Sequence, residues 1–119
     1  MRHLVSRNTQ IAYKWGNGGV GWPLVESDGM LVIEEMLAPG CSEKLHYHNH
    51  AAQCFYMLMG NAVMQFADDQ HVDIEEGMAL YISPKTSHAI VNQSSDKIRF
   101  LVISTPSTLN DRVNLDDDK

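Results

Sequence analysis

Apolar residues in this chain come in short runs. Residues 30–37 (MLVIEEML), 54–59 (CFYMLM), 63–67 (VMQFA), 72–74 (VDI), 79–82 (ALYI) and 98–104 (IRFLVIS) are apolar or alternate with polar positions. Between them stand Ala38-Pro39-Gly40, Gly60, Asp68-Asp69-Gln70, Glu75-Glu76-Gly77 and Thr105-Pro106. Runs of this length between turn-forming residues predict strands joined by hairpins. No internal repeat and no sustained helical period interrupts them, so the chain is expected to be all-β, a sandwich or a jelly-roll barrel. Residues 30–105 would hold the barrel core. Residues 1–29 form an N-terminal strand and loop segment, within which 11–23 (IAYKWGNGGVGWP) is too glycine-rich for a helix and reads as a loop or edge ribbon. Residues 106–119 read as a polar, acidic tail whose last residues, DDDK, are expected to be mobile.

Composition narrows the partners. A chain of 119 residues, 44% hydrophobic and 20% charged, is one soluble globular domain with a single core. The formal net charge of -6 and the lack of a basic stripe argue against nucleic acid. No apolar run approaches the ~20 residues of a membrane span, and MRHLVSRNTQ lacks the apolar core of a signal peptide. A cytoplasmic location with no membrane partner is therefore expected, and Cys41 and Cys54 should be free thiols there.

Three histidines, His46, His48 and His50, stand at alternate positions. On a strand His46 and His48 point the same way and can hold one metal ion between them, a pair that still lacks further ligands. The run 30–37 carries two adjacent carboxylates, Glu34 and Glu35. Alternation puts one of them inside and one outside. A carboxylate turned into a barrel is costly unless paired or near a cation, so the inward one is a candidate acid/base group; a solvated place at the barrel rim is the alternative. His3 and His71 read as surface residues.

The spacing around these residues resembles the cupin family. Gly40, His46, His48, Gln53 and Gly60 fall in the register of the first cupin motif, and Gly77, His88 and Asn92 in that of the second. Gln53 stands where the family usually has Glu, Ser83 where it has Pro, and Lys85 where it has Gly. The resemblance covers one whole domain and implies a cupin-type double-stranded β-helix with His46, His48, Gln53 and His88 around one point inside the barrel. His50 is the alternative to Gln53 if the strand runs straight on, although Asn49 favours a turn there. It also implies a homodimer, with Trp15 and Trp22 at the subunit interface in preference to plugging one end of their own barrel.

The implied cofactor is one divalent transition metal, Mn, Fe, Ni, Co or Zn. A neutral Gln53 would leave the full +2 charge on such an ion and suit an anionic, oxygen-rich ligand. The arrangement further resembles the small cupins that open unsaturated uronate rings, which use a Gln ligand but carry an acid on the last strand, where this chain has Val102 and Ser104. Lewis-acid chemistry on a small sugar acid or keto acid, of isomerase or lyase type, is therefore the expected function. An Fe- or Mn-dependent dioxygenase or oxalate-decarboxylase-like enzyme and a non-catalytic ligand-binding module are the alternatives.

Overall fold

In the computed structural model, which describes residues 2–115, the apolar runs are strands. In chain order these are β1 (Tyr13–Trp15), β2 (Gly19–Glu26), β3 (Leu31–Leu37), β4 (His46–His48), β5 (Ala52–Met59), β6 (Ala62–Phe66), β7 (His71–Ile74), β8 (Ala79–Ile82), β9 (His88–Val91), β10 (Ile98–Thr105) and β11 (Arg112–Asn114). They form two sheets, β1-β2-β3-β10-β5-β8 and β11-β4-β9-β6-β7, with every pairing antiparallel. This is the jelly-roll arrangement, all-β as expected. Among the described residues no helix is long and apolar enough to cross a membrane.

Alternation decides what each strand buries. Ile98, Phe100, Val102 and Ser104 of β10 are buried, and Arg99, Leu101 and Ile103 between them are half-buried. Phe55 and Met57 of β5, Ala62 and Met64 of β6, Leu37, Ile74, Ile82 and Ile90 complete one core between the sheets. Each large apolar side chain buried there contributes about 1.5–3 kcal/mol, which makes this core the main support of the fold.

The inward rows change character along their length. Register sets Phe100 beside Met57, Val102 beside Phe55 and Ser104 beside Gln53. One end of the barrel is thus apolar and the other polar, and the polar end is where β4 and β9 bring their histidines.

Residues 11–23 are an edge ribbon, the β1–β2 hairpin, in which Tyr13 lies opposite Gly21 and Trp15 opposite Gly19. A Cβ on Gly19 would sit 2.3 Å from Trp15 Cε2, so only glycine lets the indole lie against β2. Trp15 meets Phe100 edge-on, centroids 6.1 Å apart, and lines the inner cavity. It plugs its own barrel, which corrects the expectation of an interface position for this residue. Trp22, half-buried on β2 opposite Glu34, faces the outer side of the sheet.

The segment read as a tail holds more structure than its composition suggests. β11 lies within it and pairs with β4, Arg112 opposite His48 and Asn114 opposite His46. Its three residues are a strand because β4 offers a free edge, and their own hydrophobicity gives little sign of it. The DDDK end lies outside the described residues. Cys41 and Cys54 are both free.

Candidate metal centre

The two motif strands carry the site. β4 presents His46 and His48 to the barrel interior with Tyr47 turned away, and β9 sets His88 directly opposite His46. One nitrogen from each of His46, His48 and His88 lies within 4.8 Å of the others, and all three residues are buried. Three imidazoles so placed could hold one ion between them.

Their hydrogen bonds fix which nitrogen is offered. His46 Nδ1 lies 2.9 Å from the Lys44 carbonyl and His88 Nδ1 lies 2.8 Å from the Thr86 carbonyl. A carbonyl only accepts, so both Nδ1 atoms carry the proton and both Nε2 atoms present a lone pair. His48 Nδ1 is buried and has no full hydrogen-bond partner among the described residues, the Asp111 backbone acting on the ring only as a minor influence that favours its proton. Burial, and then the charge of Arg112 and His88, pushes His46 down to about 3; burial, then His88 and Arg112, pushes His48 down to about 4. His88 is lowered as well, chiefly by burial. All three rings are neutral at pH 7, the form that binds a metal.

Gln53 is buried on β5, and its Nε2 donates to Ser104 Oγ at 3.1 Å. Its Oε1 then lies 3.0 Å from His88 Nε2, acceptor against lone pair. Either the amide turns over, so that its N–H donates to His88 Nε2 and its oxygen accepts from Ser104, or a cation takes both lone pairs. His50 is exposed and turned away from this group, its backbone N–H held by Asp111. The three histidines present therefore fit one metal ion.

The inner cavity beside them has a volume of about 180 Å³. Its walls include Tyr13, Trp15, Glu35, Glu43 and Arg112. Glu35 is the inward member of the acidic pair on β3. Glu34 turns outward and is held by Arg7 at 3.0 Å and Arg99 at 3.1 Å. Desolvation and the neighbouring Glu43 charge raise Glu35 to about 8 against the opposing hydrogen bond from Tyr13 at 3.2 Å. Desolvation raises Glu43 to about 7, opposed by the Ile90 backbone N–H at 3.1 Å and by Arg112. Glu35 thus holds its proton at pH 7, whereas Glu43 is divided between its two forms there.

Residues 33–104 match the family described as the cupin domain. The chain belongs to the cupin family. This cupin is 30% identical over 75 residues to an uncharacterized protein of Methanocaldococcus jannaschii, an alignment that takes in 63% of this chain and 59% of that protein's length. Its fold is similar to that of the polyketide cyclase RemF from Streptomyces resistomycificus, with a TM-score of 0.83 at 20% identity over 97% of this chain and 86% of that one. It is also similar to a predicted oxalate decarboxylase from Thermotoga maritima, with a TM-score of 0.79 at 21% identity over 88% of this chain and 100% of that one. At such identities these likenesses concern the fold.

Of the residues that the sequence singles out, the structure brings His46, His48, His88, Gln53 and Glu35 together and leaves Glu34 and His50 aside, and Tyr13, Glu43, Arg112 and Asp111 were not singled out. Glu43 stands three residues before His46, where a turn back toward the motif strand was the available signal. Arg112 and Asp111 carried no local signal, because both act through pairing with residues far off in the chain.

Proposed function

We propose that this cupin binds one divalent transition-metal ion through His46, His48 and His88, with Gln53 completing the set. It would act there on a small anionic, oxygen-rich substrate of the sugar acid or keto acid class, in a reaction of isomerase or lyase type. The observation that carries this reading is three neutral, converging imidazoles beside the carboxyls of Glu35 and Glu43 on the wall of a small cavity. Such an ion, when bound, supplies a Lewis acid that polarises a carbonyl or enediol, its charge undiminished by the neutral Gln53.

The chain supplies the rest. Glu35 holds an exchangeable proton facing the cavity, and Tyr13, donating to Glu35 Oε2, orients it. Trp15, Phe55 and Val102 exclude water from the inner wall. Val102 and Ser104 occupy the places of the acid and aromatic groups of the uronate-opening cupins; Ser104 serves Gln53 instead, and the acid role falls to Glu35 from β3.

Elemental analysis of protein purified without chelator or histidine tag, beside His46→Ala, tests the metal. About one ion per chain, absent from the variant, supports the reading and opens a screen of small carboxylates in which Glu35→Gln keeps the metal and loses turnover. Substoichiometric metal that survives His46→Ala would overturn it.

A further inference from the structure

We infer that Arg112 is an anion anchor, and that the hollow outside it is a second subsite of the same site. The ligand would then carry oxygen donors at one end and an oxyanion, carboxylate or phosphate, at the other. This rests on the proposed reading of the inner cavity as a site for a small anion.

The cavity of about 180 Å³ and an outer hollow of about 420 Å³ share two walls, Glu43 and Arg112. The outer hollow is otherwise lined by Gly16, Asn17, Ser42 and Lys44. The two shared side chains differ in freedom. Glu43 is anchored: its side chain is 10% exposed and its Oε1 accepts from the Ile90 N–H. Arg112 is 40% exposed, and its Nη1 is 3.7 Å from Glu43 Oε2, an ion pair too long for a hydrogen bond.

Among the described residues only Nε of the guanidinium is engaged at short range, donating to Asn114 Oδ1 at 2.6 Å. The terminal nitrogens remain available as a fork that matches a carboxylate or phosphate. The backbone beneath is fixed. Arg112 is the cross-strand partner of His48, so its side chain leaves the sheet on the same face as that histidine and about 5 Å from it at Cβ. A guanidinium based there can swing from Glu43 to a ligand whose other end reaches the imidazoles. Trp15 Nε1, buried and without an acceptor among the described residues, adds a donor on the inner wall that an oxygen-rich ligand would satisfy.

The test uses Trp22→Phe protein, in which Trp15 is the remaining indole, with and without zinc. Malonate, inorganic phosphate and neutral malonamide are titrated against its emission. Malonate or phosphate should give a saturable change and malonamide none, and whichever oxyanion binds names the anionic group. Arg112→Gln should weaken that binding by about tenfold or more, Arg112→Lys should keep part of it, and Glu43→Gln should tighten it by releasing the guanidinium. Zinc affinity in Arg112→Gln should not fall, which separates loss of the anchor from loss of the fold. Oxyanion binding that needs zinc and His46 but is unchanged in Arg112→Gln would overturn the anchor and leave the metal reading standing. Binding that needs Arg112 but is identical without zinc would support the anchor and overturn the joint site. No oxyanion binding to zinc-loaded protein would overturn both.

Discussion

Replacing Asp111 with Ala should unfasten the turn that joins the histidine strand to Gln53. The Asp111 carboxylate accepts backbone N–H groups from Asn49 at 3.1 Å, His50 at 3.2 and 3.0 Å, and Ala51 at 3.0 Å. Hydrogen bonds to a charged group are each worth about 1.5–3 kcal/mol net. Asn49 is half-buried and His50 exposed, so water recovers much of their loss; Ala51 is 2% exposed, and its donor bears the full cost. The expected destabilisation is therefore about 2–4 kcal/mol, a large share of a typical 5–15 kcal/mol. For a domain of this size that lowers Tm by roughly 8–16 °C. Thermal melts of metal-free protein read the stability, and zinc competition should show weaker binding because the turn sets His48 against Gln53. Desolvation would raise the Asp111 carboxyl, but the N–H groups of His50, Ala51 and Asn49 outweigh it and hold the group below its ordinary 3.8. Its contribution is thus present above pH 3.8 and fades as pH falls through the lowered value, so wild type and variant should converge in strong acid. A variant melting within about 2 °C of wild type at pH 7 would refute the clamp.

Other perturbations address the site and its wall. His88→Ala should lose most of the metal while retaining the β-rich circular dichroism spectrum, and full occupancy in that variant would show the ligand set to be wrong. Gln53→Glu should bind metal as well or better, whereas metal lost in His50→Ala and kept in Gln53→Ala would place the fourth ligand at His50. In metal-free protein the unfolded chain binds more protons than the fold between about pH 3 and 6.5 through His46 and His48, so stability rises there. The fold binds more protons between 4.5 and about 8 through Glu35 and Glu43, so stability falls there. Denaturant melts should therefore peak between pH 4.5 and 6.5, and a steady rise to pH 8 would contradict these shifts. Gly19→Ala should push Trp15 off β2 and red-shift its emission, because the new Cβ would lie 2.3 Å from the ring; an unchanged spectrum would show the contact to be slack.

Much of this was legible in the chain because strands report themselves by alternation. On strands His46 and His48 at two-residue spacing share a face, and Gln53, Phe55 and Met57 share one for the same reason. Turn residues marked the strand ends well enough to separate β3, β5 and β10. The choice between Glu34 and Glu35 needed the register of β3 against β10, a long-range pairing with no local trace. Arg112 and Asp111 were hidden for the same reason: a strand as short as β11 owes its existence to the edge it meets. Trp15 was misplaced because a glycine-rich ribbon looks mobile until one sees that its glycines make room for the rings lying on them.

The lengths of the outermost strands bear on how the molecule behaves in a crowded solution. The four sheet edges, β1, β8, β11 and β7, are only three or four residues long, whereas β2, β3, β5 and β10 inside the larger sheet have seven or eight. Short edges give a foreign strand little to zip onto. β11 also covers β4, so peeling it away would bare the backbone of the histidine strand as a new edge. A lesion at the Asp111 clamp would then surface as association between chains, with sedimentation registering it before any assay of the metal does.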